Sequence, residues 1–176
     1  PIQYYKNLLS TKKDNYAVYA ETAFSEEQSL LLMGSDVSSR YTRRNQSEFE
    51  RIAQYIQKTG LAKKGNYMVF CPSYQYLHAI EDILAAREAS GALSFIWNAQ
   101  TNHMTEEDRE TFLHSFEEER DCSMAALCVM GGIFSEGIDL KEERLIGAVI
   151  IGTGLPQVNT EQEILKEYFD EHGEHG

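Results

Sequence analysis

Three uninterrupted apolar runs constrain this chain more than any other feature: Tyr67-Met68-Val69-Phe70-Cys71, Ala125-Ala126-Leu127-Cys128-Val129-Met130 and Ile146-Gly147-Ala148-Val149-Ile150-Ile151. A strand with one face in water alternates apolar and polar residues, so an unbroken run marks a strand covered on both faces, as in a parallel sheet flanked by helices. Helical spacing fills the intervals. Phe49, Ile52, Ala53 and Ile56 share a face ahead of the first run, with Gly60 where a C-terminal cap belongs. Leu77, Ile80, Ile83 and Leu84 recur at helical spacing after it. Thr105 opens a further helix, with Asp108 three residues on as in a capping box and Phe112, Leu113 and Phe116 as its apolar stripe. Leu93 to Trp97 predicts a short strand, and Glu161 to Phe169 a closing helix. This alternation predicts an α/β domain with a mostly parallel sheet and helices on both faces.

The N-terminal portion is less regular. Residues 1–15 carry Tyr4, Tyr5, Leu8 and Leu9 at helical spacing and then turn polar, which reads as the tail of a preceding element. Tyr16 to Phe24 alternates aromatic and small residues as a strand does. An apolar patch, Leu30 to Met33, then meets the turn-like Gly34-Ser35-Asp36. With 176 residues, 42% hydrophobic and 25% charged, the chain has globular proportions. It has no apolar run of about 18 residues and no leader-like start, from which a cytoplasmic location is expected. Cys71, Cys122 and Cys128 include no Cys-x-x-Cys pair, which argues against a zinc or iron–sulfur site in the chain.

In parallel sheets, ligands gather at the carboxyl ends of the strands, so the loops after the three runs carry the candidate chemistry. After the first, Ser73 stands at a strand end and a helix start. Its hydroxyl and the free backbone N–H groups there suit an anion, and it equally suits a plain helix N-cap; the two roles are compatible. After the second comes Gly131-Gly132-Ile133-Phe134-Ser135-Glu136-Gly137-Ile138-Asp139-Leu140, whose glycines free the backbone while Phe134, Ile138 and Leu140 can anchor it. A Gly-Gly pair is also an ordinary turn.

The third loop, from Gly152, lacks the last glycine of a dinucleotide fingerprint, because Gln157 stands there and Pro156 spoils the helix start. No Gly-x-x-x-x-Gly-Lys-Ser/Thr occurs, so the chain has no triphosphate cradle of its own. The net charge of −12 argues against a free-standing nucleic-acid binder. Arg40, Arg43 and Arg44, interleaved with Tyr41, oppose that average, either as DNA contacts or as the solvated start of a helix. His78, His114 and the Glu117 to Asp121 run read as surface groups, and His172 and His175 as part of an acidic tail rather than metal ligands.

Together these loops resemble the second RecA-like domain of DinG/XPD-type superfamily 2 DNA helicases. Val69-Phe70-Cys71-Pro72-Ser73-Tyr74 looks like helicase motif IV, and Gly132 to Leu140 looks like motif V. Gln100, with Met104 to Arg109 and Phe112-Leu113, resembles the segment between them, and Val149 to Pro156 the strand and Leu-Pro turn that follow. The resemblance covers about residues 16–160, with residues 1–15 as the tail of the first helicase domain.

That family implies ATP-driven 5′-to-3′ movement along single-stranded DNA, with nucleotide and DNA held between two RecA-like domains. By motif position, Ser73 and Tyr74, the Gly132 to Ser135 backbone and the Ser135 hydroxyl are expected at DNA. Gln100, Arg40, Arg43 and Arg44 are further candidates for DNA contact. Glu136, Gly137 and Asp139 are expected at the nucleotide cleft, Asp139 beside a ribose hydroxyl. ATP, Mg2+ and any iron–sulfur cluster would be held by the full-length enzyme with its first domain. The arginine-bearing motif VI is absent before Gly176, so the chain is expected to be inactive alone. The competing reading is a stand-alone α/β module that binds a nucleotide or a protein.

Overall fold

The computed structural model describes residues 18–22, 25–153 and 159–171. The chain falls into two compact units, residues 1–34 and 35–176. In the first, the described residues 18–22 form no strand, and Tyr19 is exposed. The alternation that predicts a strand across Tyr16 to Phe24 therefore does not produce one where it can be seen; Tyr16, Ala17, Ala23 and Phe24 lie outside the described residues, as do residues 1–15. A short 3-10 turn spans Glu26–Gln28. Leu30 to Met33 follow it without regular structure, their side chains exposed.

The second unit is a four-stranded, all-parallel sheet. Its strands are β1 (Asn66–Cys71), β2 (Ile96–Ala99), β3 (Met124–Val129) and β4 (Gly147–Ile150), in spatial order β2-β3-β1-β4. Helix α1 (Gln46–Ala62) precedes β1, α2 (Tyr74–Ala89) links β1 to β2, α3 (Glu106–His114) links β2 to β3, and α4 (Thr160–Glu171) follows β4. No described helix is long and apolar enough to cross a membrane.

Both faces are covered across β1 and β3, as their apolar runs require; the third run departs from that expectation, because β4 is an edge strand whose residues alternate half-buried and exposed, with Ile150 66% exposed. Val69, Cys71, Leu127 and Val129 point to α1 and α2 and meet Ile52, Ile56, Leu77, Ile80 and Leu84. The alternate residues Met68, Ala126 and Cys128 face the other way, onto Phe112, Phe116 and Phe134. Every residue of β3 is buried, which is why its sequence lacks alternation. Arg87 of α2 reaches the partly exposed Glu50 at 2.8 Å and also donates to Gln57 at 3.0 Å, tying α2 to α1.

Two local expectations shift. Gly60 does not end α1, which continues to Ala62; instead a Cβ there would come within 3.6 Å of Phe95 and Ser123. That is ordinary contact distance, so neither a cap nor close packing requires glycine there; Ser123 Oγ donates to its carbonyl. The strand predicted over Leu93 to Trp97 forms at Ile96–Ala99. Phe95, 5% exposed, fills the core beneath the helices rather than joining the ladder.

Helix starts follow their chemistry. Asn45 caps α1 by accepting from Glu48 N at 3.1 Å. Thr105 and Asp108 form the expected capping box, with Asp108 N donating to Thr105 Oγ1 at 3.2 Å and Thr105 N to Asp108 Oδ2 at 2.8 Å.

Candidate functional site

Because all the strands run the same way, β1, β2, β3 and β4 deliver Ser73, Gln100, the Gly131–Asp139 loop and Gly152 to one edge. Ser73 is the N-cap of α2: its Oγ accepts from Tyr76 N at 3.3 Å, which leaves the hydroxyl proton to donate outward. Tyr74 is held at its tip. Its hydroxyl accepts from Gln100 Nε2 at 2.7 Å and donates to the Thr101 carbonyl at 3.3 Å.

The loop after β3 is folded against its own strand. Gly132 N donates to the Val129 carbonyl at 3.0 Å, Ser135 N to the Gly132 carbonyl at 3.0 Å, and Ser135 Oγ to the Val129 carbonyl at 3.2 Å. Gly131 at φ 69° and Gly137 at φ 75° occupy the left-handed region that a side chain resists, and they bracket this turn. Between them Phe134, 1% exposed, stacks on Phe112 with ring centroids 4.3 Å apart. Ile138 and Leu140 pack on the same cluster. The glycines make the turn and the apolar side chains fix it, so the loop is more than an ordinary connection.

Glu136 and Asp139 are exposed on this loop. Asp139 pairs with Lys141 at 3.1 Å, both side chains 74% exposed, an arrangement that contributes little to stability. Two exposed carboxylates suit sugar hydroxyls and repel phosphate oxygens. The residues present therefore fit the ribose side of a nucleotide, and the phosphate side has no Gly-Lys cradle in this chain.

The arginine segment lies at the same edge. A Cβ on Gly152 would come 2.5 Å from Ser39 Oγ, and the Arg44 guanidinium sits 5.3 Å from the ring of Tyr76 in the first turn of α2. Arg44 also stacks over Tyr41 at 5.5 Å and donates from Nε to the Ser39 carbonyl at 3.2 Å. Arg43 pairs with Glu48, while Arg40 stays exposed. Of the three arginines, two hold the fold together and Arg40 keeps its charge in solvent.

Gln100 departs most from a DNA-contact reading. It is 2% exposed and both ends of its amide are engaged inside the protein. A direct contact has no exposed amide to use in this arrangement. Sequence reasoning also missed Glu48, a 5% exposed carboxylate that accepts from Ser38 N at 3.0 Å and from Arg43. Its place three residues after Asn45 was the available signal, since acids favour the first turn of a helix.

Cys71 and Cys128 are buried and suited to packing rather than reaction. Burial pushes the Cys71 thiol up to about 12 and the Cys128 thiol up to about 12, so neither forms a thiolate at neutral pH. A cavity of about 570 Å3 opens at the opposite, amino-terminal edge of the sheet, between Lys64, Asn66, Glu117, Arg120, Cys122 and Arg144. Its mixed charge and its distance from the strand carboxyl ends set it apart from the candidate site. The expected His172 and His175 tail and the Leu155-Pro156 turn lie outside the described residues.

A doubly covered parallel sheet with bracketed loops at its carboxyl edge is the architecture of a RecA-like helicase domain. Residues 55–176 match the helicase C-terminal domain family, and the chain belongs to it. Two solved structures share the fold, an apo XPD and an XPD helicase, each with TM-score 0.58 and 22% identity. The matches cover 77% and 78% of this chain but 26% and 23% of those chains, so it spans about a quarter of their length.

Proposed function

We propose that the chain is the motif IV and motif V portion of an ATP-driven motor that moves 5′ to 3′ along single-stranded DNA. Its partner is the first RecA-like domain of the same protein, which supplies the triphosphate cradle and Mg2+ site. Phosphoryl transfer belongs to that bound nucleotide; the residues here bind and position. Ser73, Tyr74, Gly132 and Ser135 face the DNA backbone, with Arg40 as the solvent-borne charge beside them. Glu136, Gly137 and Asp139 face the nucleotide, Asp139 at a ribose hydroxyl.

The observation that carries this reading is the hydrogen-bonded bridge joining the Ser73–Tyr74 turn to the Gly131–Ser135 loop at one sheet edge. A loop that touches two ligands can couple them by shifting between discrete arrangements. The acidity of the chain is compatible with it, because the N-terminus of α2 beside Ser73 can bind phosphate without adding Lys or Arg.

The test is ATP turnover by the full-length protein with and without a single-stranded oligonucleotide. DNA-stimulated hydrolysis is expected there and none from residues 1–176 alone. Turnover indifferent to DNA would sink the motor reading, and nucleotide binding without turnover would favour a stand-alone binding module. Unwinding of duplexes bearing a 5′ rather than a 3′ single-stranded tail checks the polarity.

A further inference from the structure

We propose that Gln100 is a positioning residue that locks the Ser73–Tyr74 turn and the Gly131–Ser135 loop into one rigid unit, so that DNA engaged at one is registered by the other. The proposal rests on the motor reading above.

The sheet itself creates the need for such a residue. Strand β2 stops at Ala99, opposite Leu127, and Gln100 N makes the last backbone bond to the Leu127 carbonyl at 2.8 Å. β3 runs two residues further, to Val129, whose N–H has no strand on that side to receive it. Gln100 Oε1 accepts it at 3.1 Å, extending the ladder by one rung with a side chain. Because the oxygen must face Val129 N–H, the amide nitrogen faces the other way, and there it donates to Tyr74 Oη at 2.7 Å. One planar group thus satisfies a donor in β3 and an acceptor in α2.

The path continues without a gap. The Val129 carbonyl receives Gly132 N at 3.0 Å and Ser135 Oγ at 3.2 Å. A Cβ on Gly132 would stand 3.1 Å from Gln100 Nε2, so the loop lies directly on the amide. Tyr74, Gln100, Val129 and Ser135 form a single hydrogen-bonded line between two loops assigned to DNA. At 2% exposure Gln100 is beyond the reach of DNA itself.

Two variants separate positioning from contact. Gln100→Leu removes both bonds. Gln100→Glu keeps both in its neutral form, where the acid donates to Tyr74 and accepts from Val129 N–H; the ionised form accepts from Val129 N–H and can hold Tyr74 only by drawing its proton from the Thr101 carbonyl. At a phosphate contact the same carboxylate would be repelled.

The readout is the ratio of ATP turnover with and without a saturating thymidine oligonucleotide, in the full-length protein. Gln100→Leu is expected to lower that ratio roughly two- to thirtyfold, the range seen for residues that couple sites. Tyr74→Phe is expected to lower it as well, and the double variant no further than the worse single, because both changes cut one line. Gln100→Glu should keep more of the ratio than Gln100→Leu, because its neutral form restores both bonds.

A wild-type ratio of one overturns the motor reading and this proposal with it. A wild-type ratio above one that Gln100→Leu or Tyr74→Phe leaves untouched overturns the proposal alone, as do losses that add in the double variant or a Gln100→Glu as impaired as Gln100→Leu. If Gln100→Leu does not fold, Tyr74→Phe decides by the same outcomes.

Discussion

At the scale of single residues, Glu48 shows how the arginine segment is used. The Ser38 N–H, then the Arg43 guanidinium, hold its carboxyl below the usual carboxylate range although burial works the other way. A folded-state value below the unfolded one, near 4.5, stabilises the fold above that pH, and the contribution is lost as pH falls through the folded value. Glu48→Gln should therefore lower the thermal midpoint at pH 7, and the gap from wild type should close as the pH is taken below about 4.5. A gap of equal size at both ends of that titration would show that the carboxylate charge is not what holds Ser38 and Arg43. Gly132 makes a steric point of the same kind. A Cβ there would sit 2.9 Å from the Val129 carbonyl, which is fixed in β3 and cannot retreat, and 3.1 Å from Gln100 Nε2. Gly132→Ala is expected to cost about 1–3 kcal/mol, the range for overpacking, read from urea unfolding of the domain.

At the scale of elements, the loop after β3 and the start of α2 can each be tested without the other. Phe134 anchors the loop by stacking on Phe112, and Phe134→Ala should cost about 3–5 kcal/mol, since the cavity opens in a packed cluster. Denaturant unfolding measures it, and a loss under 1 kcal/mol would mean that the loop is held by its glycines and hydrogen bonds. Ser73 has two roles that one substitution can part. Ser73→Asp keeps a good N-cap, so the melting temperature should hold, while its carboxylate should weaken single-stranded DNA binding in the full-length protein. Intact binding would leave Ser73 as a cap only. What the sequence made legible follows the same division. β1, β3 and the Thr105 box were readable because their determinants are local: unbroken apolar runs, and a cap with its partner three residues away. The offset of β2 was not, because Leu93 and Phe95 are as apolar as strand residues yet serve the core. Nor was Gln100's bracket, whose partners lie 26 and 29 positions away and are brought near only by parallel pairing. Of the strand expected at Tyr16 to Phe24, the described residues 18–22 form none; alternation alone is a weak determinant, because strand preference depends on packing context.

At the scale of the whole molecule, the carboxyl edge carries two chemistries with different structural stakes. The loops proposed to face DNA are woven into the core through Tyr74, Gln100, Val129 and Phe134, so changes there are expected to alter fold and function together. Glu136 and Asp139 are not. Asp139 is 74% exposed with one exposed lysine as its ion-pair partner, and an exposed pair contributes about 0–1 kcal/mol. On the proposed reading this carboxylate meets a ribose hydroxyl, and the phosphates fall to the first helicase domain, since this chain has no Gly-Lys cradle. Asp139→Ala should therefore move the melting temperature of the full-length protein by no more than a degree or two, as expected of surface changes within about 0.5 kcal/mol. ATP turnover should fall at least about tenfold, the effect of removing one charge-assisted contact of roughly 1.4 kcal/mol or more. Asp139→Asn should recover part of the loss, since an amide oxygen still accepts from a sugar hydroxyl. Stability and turnover falling in parallel would return Asp139 to the fold, and would leave the nucleotide side of this edge to Glu136 and Gly137.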